Sequence, residues 1–175
     1  HVRYPCRFLL VAAANPCRCG QLADAARACA KAPACGSDYM GRISGPLMDR
    51  FDLRIEVPAV SVADLERPAS AESSAEVAAR VRAARAVQAD RFADQPRMRV
   101  NADASGAVLD EIARPDAEGR DLIHRAAERL GLTARGYHRV LRTARTIADL
   151  DASPDVRAPH LAEALGYRLP YVAGG

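Results

Sequence analysis

Four cysteines, Cys17, Cys19, Cys29 and Cys35, crowd into one short stretch in the pattern C-x-C-x9-C-x5-C. The residues around them are mostly small or polar, so residues 16–41 read as a loop or insertion that apolar burial alone does not order. Four thiolates converging on one zinc ion form a tetrahedral centre that orders such a loop by coordination. The spacing departs from two C-x2-C pairs, so free surface thiols or a redox pair are also compatible with it. Five cysteines and no visible signal peptide point to a reducing compartment, the cytoplasm, and to a metal site rather than a disulfide framework. Cys6 stands apart and reads as a small buried apolar residue at the entry to a strand.

The segments on either side divide the chain. Residues 7–14 (RFLLVAAA) are a short apolar run closed by Asn15-Pro16, which suits a buried strand of a parallel sheet. Residues 45–51 read as one or two helical turns. Residues 52–58 alternate Leu53, Ile55 and Val57 with charged residues, a strand that Pro58 ends. A mixed stretch, 59–72, leads to a helix cap. Beyond it the apolar residues recur at helical spacing over 73–92 (Val77, Val81, Ala84), 103–113 (Ala107, Val108, Ile112) and 117–131 (Leu122, Ile123, Ala126, Ala127, Leu130), with Gly131 as the stop. The strongest stripe runs over 133–150 through Tyr137, Val140, Leu141, Ala144, Ile147 and Ala148, with Thr133 as its N-cap. A last helix spans about 156–165.

Hydrophobic residues are 49% of the 175, but many are alanine, aromatics are 5%, and Trp is absent, which favours close-packed helices over a large aromatic cavity. A net charge of +3 permits nucleic-acid contact without demanding it. No apolar run approaches the roughly 20 residues of a membrane span. Two strands are too few for an α/β domain, so the expected arrangement is the C-terminal part of a longer protein.

RYPCRFLLVAAANPCRCG, RISGPLMDRFDLRIEVP, LTARGYHRVLRTARTIADL and HLAEALGYR resemble the ComM/YifB family of magnesium chelatase-like AAA+ ATPases along nearly the whole chain. The resemblance implies an α/β AAA+ core fragment, a parallel-sheet remnant with a zinc-binding insertion (residues 16–41), over 1–67. An all-α lid domain over 68–175 follows it. Neither a G-x-x-x-x-G-K-[ST] loop nor a strand ending in Asp-Glu is present, so this stretch alone is not expected to hydrolyse ATP.

The same resemblance assigns residues. Asn15 matches sensor 1, a short amide beside the γ-phosphate that orients attacking water. Arg50 matches an arginine finger offered across a subunit interface, and Asp49 would steer it or pair across that interface. Arg135 matches sensor 2, reaching the phosphates of its own subunit. Cys17, Cys19, Cys29 and Cys35 coincide with the family's cysteine-rich insertion. The bland alternatives are an Asn-Pro turn, an exposed Asp-Arg pair and a first-turn surface arginine. Arg139, Arg142 and Arg145 read as solvated or ion-paired. Arg18, Lys31, Tyr39 and Arg42 read by default as a solvated charged loop, with contact to DNA phosphates as the alternative, and His1, His124, His138 and His160 make no metal pair with the cysteines.

The implied cofactors are ATP, Mg2+ and Zn2+. The implied assembly is a ring, a hexamer, acting on single-stranded or branched DNA by branch migration in natural transformation, with no membrane partner. Two alternatives come from other classes. A magnesium-chelatase motor subunit shares the NP and LxDRF landmarks but is not expected to carry the four cysteines. A stand-alone zinc-stabilised binding module would leave the strands without partners.

Overall fold

The computed structural model describes residues 2, 8–22, 24, 26–66 and 72–168. They fall into two compact units, one ending at Ser44 and one beginning at Gly45. His1, Cys6 and part of the expected linker, 67–71, lie outside the described residues.

The first unit holds one helix, α1 (Ala34–Met40). Its buried residues among those described are Cys17, Cys35 and Gly36. Small residues allow this packing: a Cβ on Gly36 would stand 2.5 Å from Leu22 Cδ2 and 3.4 Å from the Pro16 carbonyl oxygen. Of the predicted buried strand 7–14, residues 8–14 are described; they carry no regular secondary structure and are exposed.

The second unit is helical: α2 (Gly45–Met48), α3 (Val62–Glu66), α4 (Ser74–Arg91), a 3₁₀ turn (Asn101–Asp103), α5 (Gly106–Ile112), α6 (Ala117–Leu130), α7 (Ala134–Leu150) and α8 (Ala158–Gly166). Residues 52–58, predicted as a strand, form no ladder. A strand is defined by the N–H and C=O partners beside it, and among the described residues neither predicted strand has a neighbouring one. The only pairing described is a single parallel bridge between Pro115 and Val156. No helix among the described residues is long and apolar enough to cross a membrane.

The Thr133 cap and the Gly131 stop fold as the sequence asks, and the cap expected after residue 72 is a capping box. Ser73 and Glu76 close a capping box on α4, Thr133 accepts from Gly136 N at 3.0 Å to start α7, and Gly131 ends α6 at φ 59°. Helix α7 buries Val140, Leu141, Ala144, Ile147 and Ala148, and α4, α5 and α8 all pack on it. Helix α6 packs on α8 through Gly119, where a Cβ would lie 2.7 Å from Leu161 Cδ1. Two expected stripes are redrawn. Val77 and Val81 are exposed because only the C-terminal half of α4 reaches α7, and the α5 residue that enters the core is Leu109 rather than Ala107.

A buried charge network joins these helices. Asp149 at the end of α7 receives Arg91 from α4 (2.5 and 2.9 Å), Asn101 from the 3₁₀ turn (2.8 Å) and Arg145 from its own helix (3.1 Å). Arg145, expected to be solvated or ion-paired, is ion-paired and 2% exposed, and it also donates to the Pro154 and Ser153 carbonyls. Burial pushes the Asp149 carboxyl up, but the hydrogen bonds from Arg91 and Asn101 outweigh it and hold the group below its ordinary range. His160, also buried, accepts the Arg157 N–H through Nδ1 at 3.0 Å and caps α8, while His124 and His138 lie on the surface.

Removing the carboxylate leaves two arginines facing the interior without it. Asp149→Ala is expected to lower the unfolding free energy by about 3–5 kcal/mol, read by urea denaturation followed by circular dichroism. Because the folded-state pKa is depressed, the contribution is complete above the unfolded carboxylate value of about 3.9 and is lost as pH falls through the folded value. Acidification below about pH 4 should therefore narrow the gap between the two proteins.

Candidate functional site

The first unit gathers the thiols. The turn after Pro16, closed by Gly20 N donating to Cys17 O at 3.1 Å, presents Cys17 and Cys19, and the first turn of α1 presents Cys35. These three sulfurs all lie within 4.8 Å of one another, and Cys17 and Cys19 are 3.0 Å apart in a thiol hydrogen bond. The edge of a zinc–thiolate tetrahedron is about 3.8 Å, given Zn–S bonds of about 2.3 Å, so small movements accommodate the ion. Cys29 stands outside this trio but beside it, its thiol interacting with those of Cys35 and Cys19. The donor set is therefore soft, clustered and partly buried, which fits zinc.

The thiols are not alike. Cys19 is held below the ordinary thiol value by the hydrogen bond from Cys17, then by the Gln21 backbone. Cys29 is lowered by the Lys31 backbone, then by Cys35. Burial, then Cys29, pushes Cys35 up to about 12. Cys19 and Cys29 therefore give up protons more readily than Cys35; a bound dication would reverse the resistance of Cys35. Arg18 and Lys31 are exposed around the cluster. Asn15 is also exposed, its side-chain amide lying over Gly20, whose Cβ would be 3.9 Å from Nδ2.

The second unit holds Asp49, Arg50 and Arg135. Asp49 follows α2 and is locked within its own unit: Thr133 Oγ1 donates to Oδ2 at 2.8 Å and Arg168 Nη2 to Oδ1 at 2.5 Å. These bonds, Thr133 first, hold its carboxyl below the ordinary range despite partial burial. Gly136 permits the approach, since a Cβ there would lie 3.3 Å from Arg168 Nη2 and 3.4 Å from Asp49 Oδ1. Arg168 also donates to Phe51 O (2.7 Å), and Arg54 to Met48 O (2.9 Å), while Arg54 N donates to Tyr167 O (3.0 Å). Arg139 pairs with Asp52, and Arg142 donates to Ala104 O at 2.8 Å. The segment after α2 is thus pinned to the N-terminus of α7 and the end of α8.

Arg50 and Arg135 remain exposed. Arg50 Nη1 donates to Pro46 O at 2.8 Å, and the Arg135 charge reaches Asp49. The structure thus brings Asp49 and Arg135 to one region of one unit, and the cysteines and Asn15 to the other. Arg168 and Arg54 were not singled out by the sequence. The only signal for Arg168 was an arginine just past the last helix, and nothing local ties residue 168 to residue 49.

Two family descriptions match the chain. "Magnesium chelatase, subunit ChlI C-terminal" covers residues 71–168, and "Magnesium chelatase, subunit ChlI" covers residues 1–65. The chain belongs to this magnesium chelatase-like family. It is 36% identical over 168 residues to the competence protein ComM of Haemophilus influenzae and to YifB of Escherichia coli, covering 95% of this chain. It is 38% identical over 165 residues, 94% of this chain, to Mb2921c of Mycobacterium bovis. In each case the match spans 32% of the relative, so the chain corresponds to about a third of those proteins.

If Cys29 joins Cys17, Cys19 and Cys35 as the resemblance implies, one zinc ion per chain is expected. Cobalt substitution should give visible d–d and thiolate charge-transfer bands, diminished in Cys17→Ser and in Cys29→Ser. Binding should release protons and weaken as pH is lowered, because each ligand must be a thiolate. An unchanged spectrum in Cys29→Ser would limit the site to three cysteines.

Proposed function

We propose that this chain is the nucleotide-responding end and helical lid of a ring-forming AAA+ ATPase that remodels DNA. The observation that carries the reading is the clamp on Asp49. The LMDRF segment, which in sequence resembles an arginine-finger element, is tied by Asp49, one residue from Arg50, to Arg168 and to Thr133, two residues from Arg135. A finger is useful only if its backbone is fixed, because phosphoryl transfer depends on positioning and on charge placed before the reaction. Asp49 therefore acts as a positioning residue. It is engaged within its own unit, so it steers Arg50 by fixing the backbone rather than by pairing across an interface.

In this reading ATP and Mg2+ bind at the junction of neighbouring subunits. Arg50 neutralises charge on the phosphoryl group held by the neighbour, Arg135 contacts the phosphates of its own subunit, and Asn15 orients the attacking water. The segments 7–14 and 52–58 supply strands of an α/β core when their ladder partners are beside them. Cys17, Cys19, Cys29 and Cys35 hold zinc, which supplies structural cross-linking and no catalytic chemistry. The similarity to a protein named for competence favours DNA as the partner.

A magnesium-chelatase motor subunit is the second reading, favoured by the family description itself. Against it stands the thiol cluster, which a chelatase motor is not expected to carry.

The ATPase assay on the complete protein with and without branched DNA decides between them. Strong stimulation by DNA is expected, and Arg50→Ala should reduce turnover by about 10³-fold or more while leaving nucleotide binding nearly intact. Activity indifferent to DNA would overturn the DNA motor and favour the chelatase-type reading.

A further inference from the structure

The positive charge of this chain is unevenly spread. Residues 1–44, the unit that bears the cysteines, carry six arginines and lysines against two aspartates, a net charge of +4. The whole chain carries +3, so residues 45–175 come to −1 despite their many arginines. Two of the six basic residues, Arg3 and Arg7, lie outside the described residues. A fourth, Arg27, is paired with Asp24 at 3.4 Å. The other three, Arg18, Lys31 and Arg42, are exposed, and among the described residues no carboxylate pairs with them.

The backbone ties these three cations to the cysteine cluster. Arg18 lies between Cys17 and Cys19, whose sulfurs are 3.0 Å apart. The Lys31 carbonyl accepts from Cys35 N at 3.0 Å. Tyr39 stands one turn beyond Cys35 on α1, partly exposed, and Arg42 N donates to its carbonyl at 3.4 Å. A compact unit of this length has a radius of about 9 Å. That is close to the Debye length of about 8 Å at physiological ionic strength, so a polyanion lying against the unit feels all three cations together. Asp38 on α1 is the one exposed carboxylate of the unit that no arginine or lysine engages.

We propose that the cysteine-bearing unit is a contact surface for single-stranded nucleic acid, with Arg18, Lys31 and Arg42 on the phosphates and Tyr39 stacking on a base. Cations beside one accessible aromatic ring match the two halves of such a ligand, its charged backbone and its unstacked bases. A duplex keeps its bases stacked on one another, and an acidic polypeptide has none to offer. The proposal rests on the reading of the chain as part of a DNA-remodelling motor and names where that motor touches its strand. It uses neither Arg50 nor Arg135, so it can fail while the nucleotide roles stand.

The test is fluorescence anisotropy of a short labelled oligothymidylate with the 175-residue chain, repeated over a range of sodium chloride. The logarithm of affinity should fall against the logarithm of salt with a slope of about −2, because each phosphate contact on a single strand contributes about −0.7. Arg18→Gln, Lys31→Gln and Arg42→Gln should each weaken binding about fivefold at low salt and make the slope shallower by about 0.7. Tyr39→Ala should weaken it about fivefold or more with the slope unchanged, and Tyr39→Phe should bind like the unmodified chain. If Tyr39→Ala fails to fold, the glutamine variants at exposed positions still test the surface. Arg82→Gln and Arg85→Gln, at exposed positions of α4, should leave binding as it was. An equal loss in those α4 variants, equal affinity for polyglutamate, or no binding by the chain would overturn the proposal. Failure here with DNA-stimulated ATPase activity in the complete protein removes the surface and leaves the motor reading standing; absence of both removes the two together.

Discussion

The second unit depends on what helix α7 can bury. Its inner face carries Val140, Leu141, Ala144, Ile147 and Ala148, and helices α4, α5 and α8 pack on it. The small residues set the spacing, because alanine at 144 and 148 lets neighbouring backbones come close where larger side chains would hold them apart. The last turn of the same helix is polar inside. There Asp149 collects Arg91, Asn101 and Arg145, so one helix supplies both the apolar core and the charged clasp. Such a clasp adds little net stability over an apolar replacement, but breaking it is severe, and it fixes which turn of α4 meets which turn of α7.

The two ends of α7 do different work. The C-terminal end is closed by the Asp149 network and holds the unit together. The N-terminal end carries the residues assigned to the site by resemblance. Thr133 caps the helix and at the same time holds Asp49, and Gly136 leaves room for Arg168 to reach that carboxylate. A residue that starts a helix therefore also anchors the segment bearing Arg50. Stability and positioning share one hydrogen-bond chain, which is why Asp49 is a structural requirement for any role of its neighbour.

The first unit solves the opposite problem. Among its described residues the buried ones are Cys17, Cys35 and Gly36, with no large aliphatic side chain between them. Thiols bury little apolar area, so hydrophobic transfer alone gives such a loop little reason to keep its shape. A metal–thiolate centre changes the source of the order from area to coordination, and the free energy of binding becomes free energy of folding.

Much of this was legible in the amino-acid sequence because it is local. The helix stripe of 133–150, the cap at Thr133, the stop at Gly131 and the cluster of cysteines each depend on residues a few positions apart, and the physics that reads them is short-ranged. What tertiary structure alone decided is long-range. Asp49 meets Arg168 across 119 positions, Arg91 meets Asp149 across 58, and Val77 and Val81 stay exposed although their spacing is helical. The strand-like segments 8–14 and 52–58 make the same point in reverse. Their alternation and apolar content suit a sheet, but a strand exists only when another backbone lies beside it, and no residue within the segment can supply that partner. Sequence determines which face of an element is apolar; only the assembled chain determines what that face, or a charged group beside it, will touch.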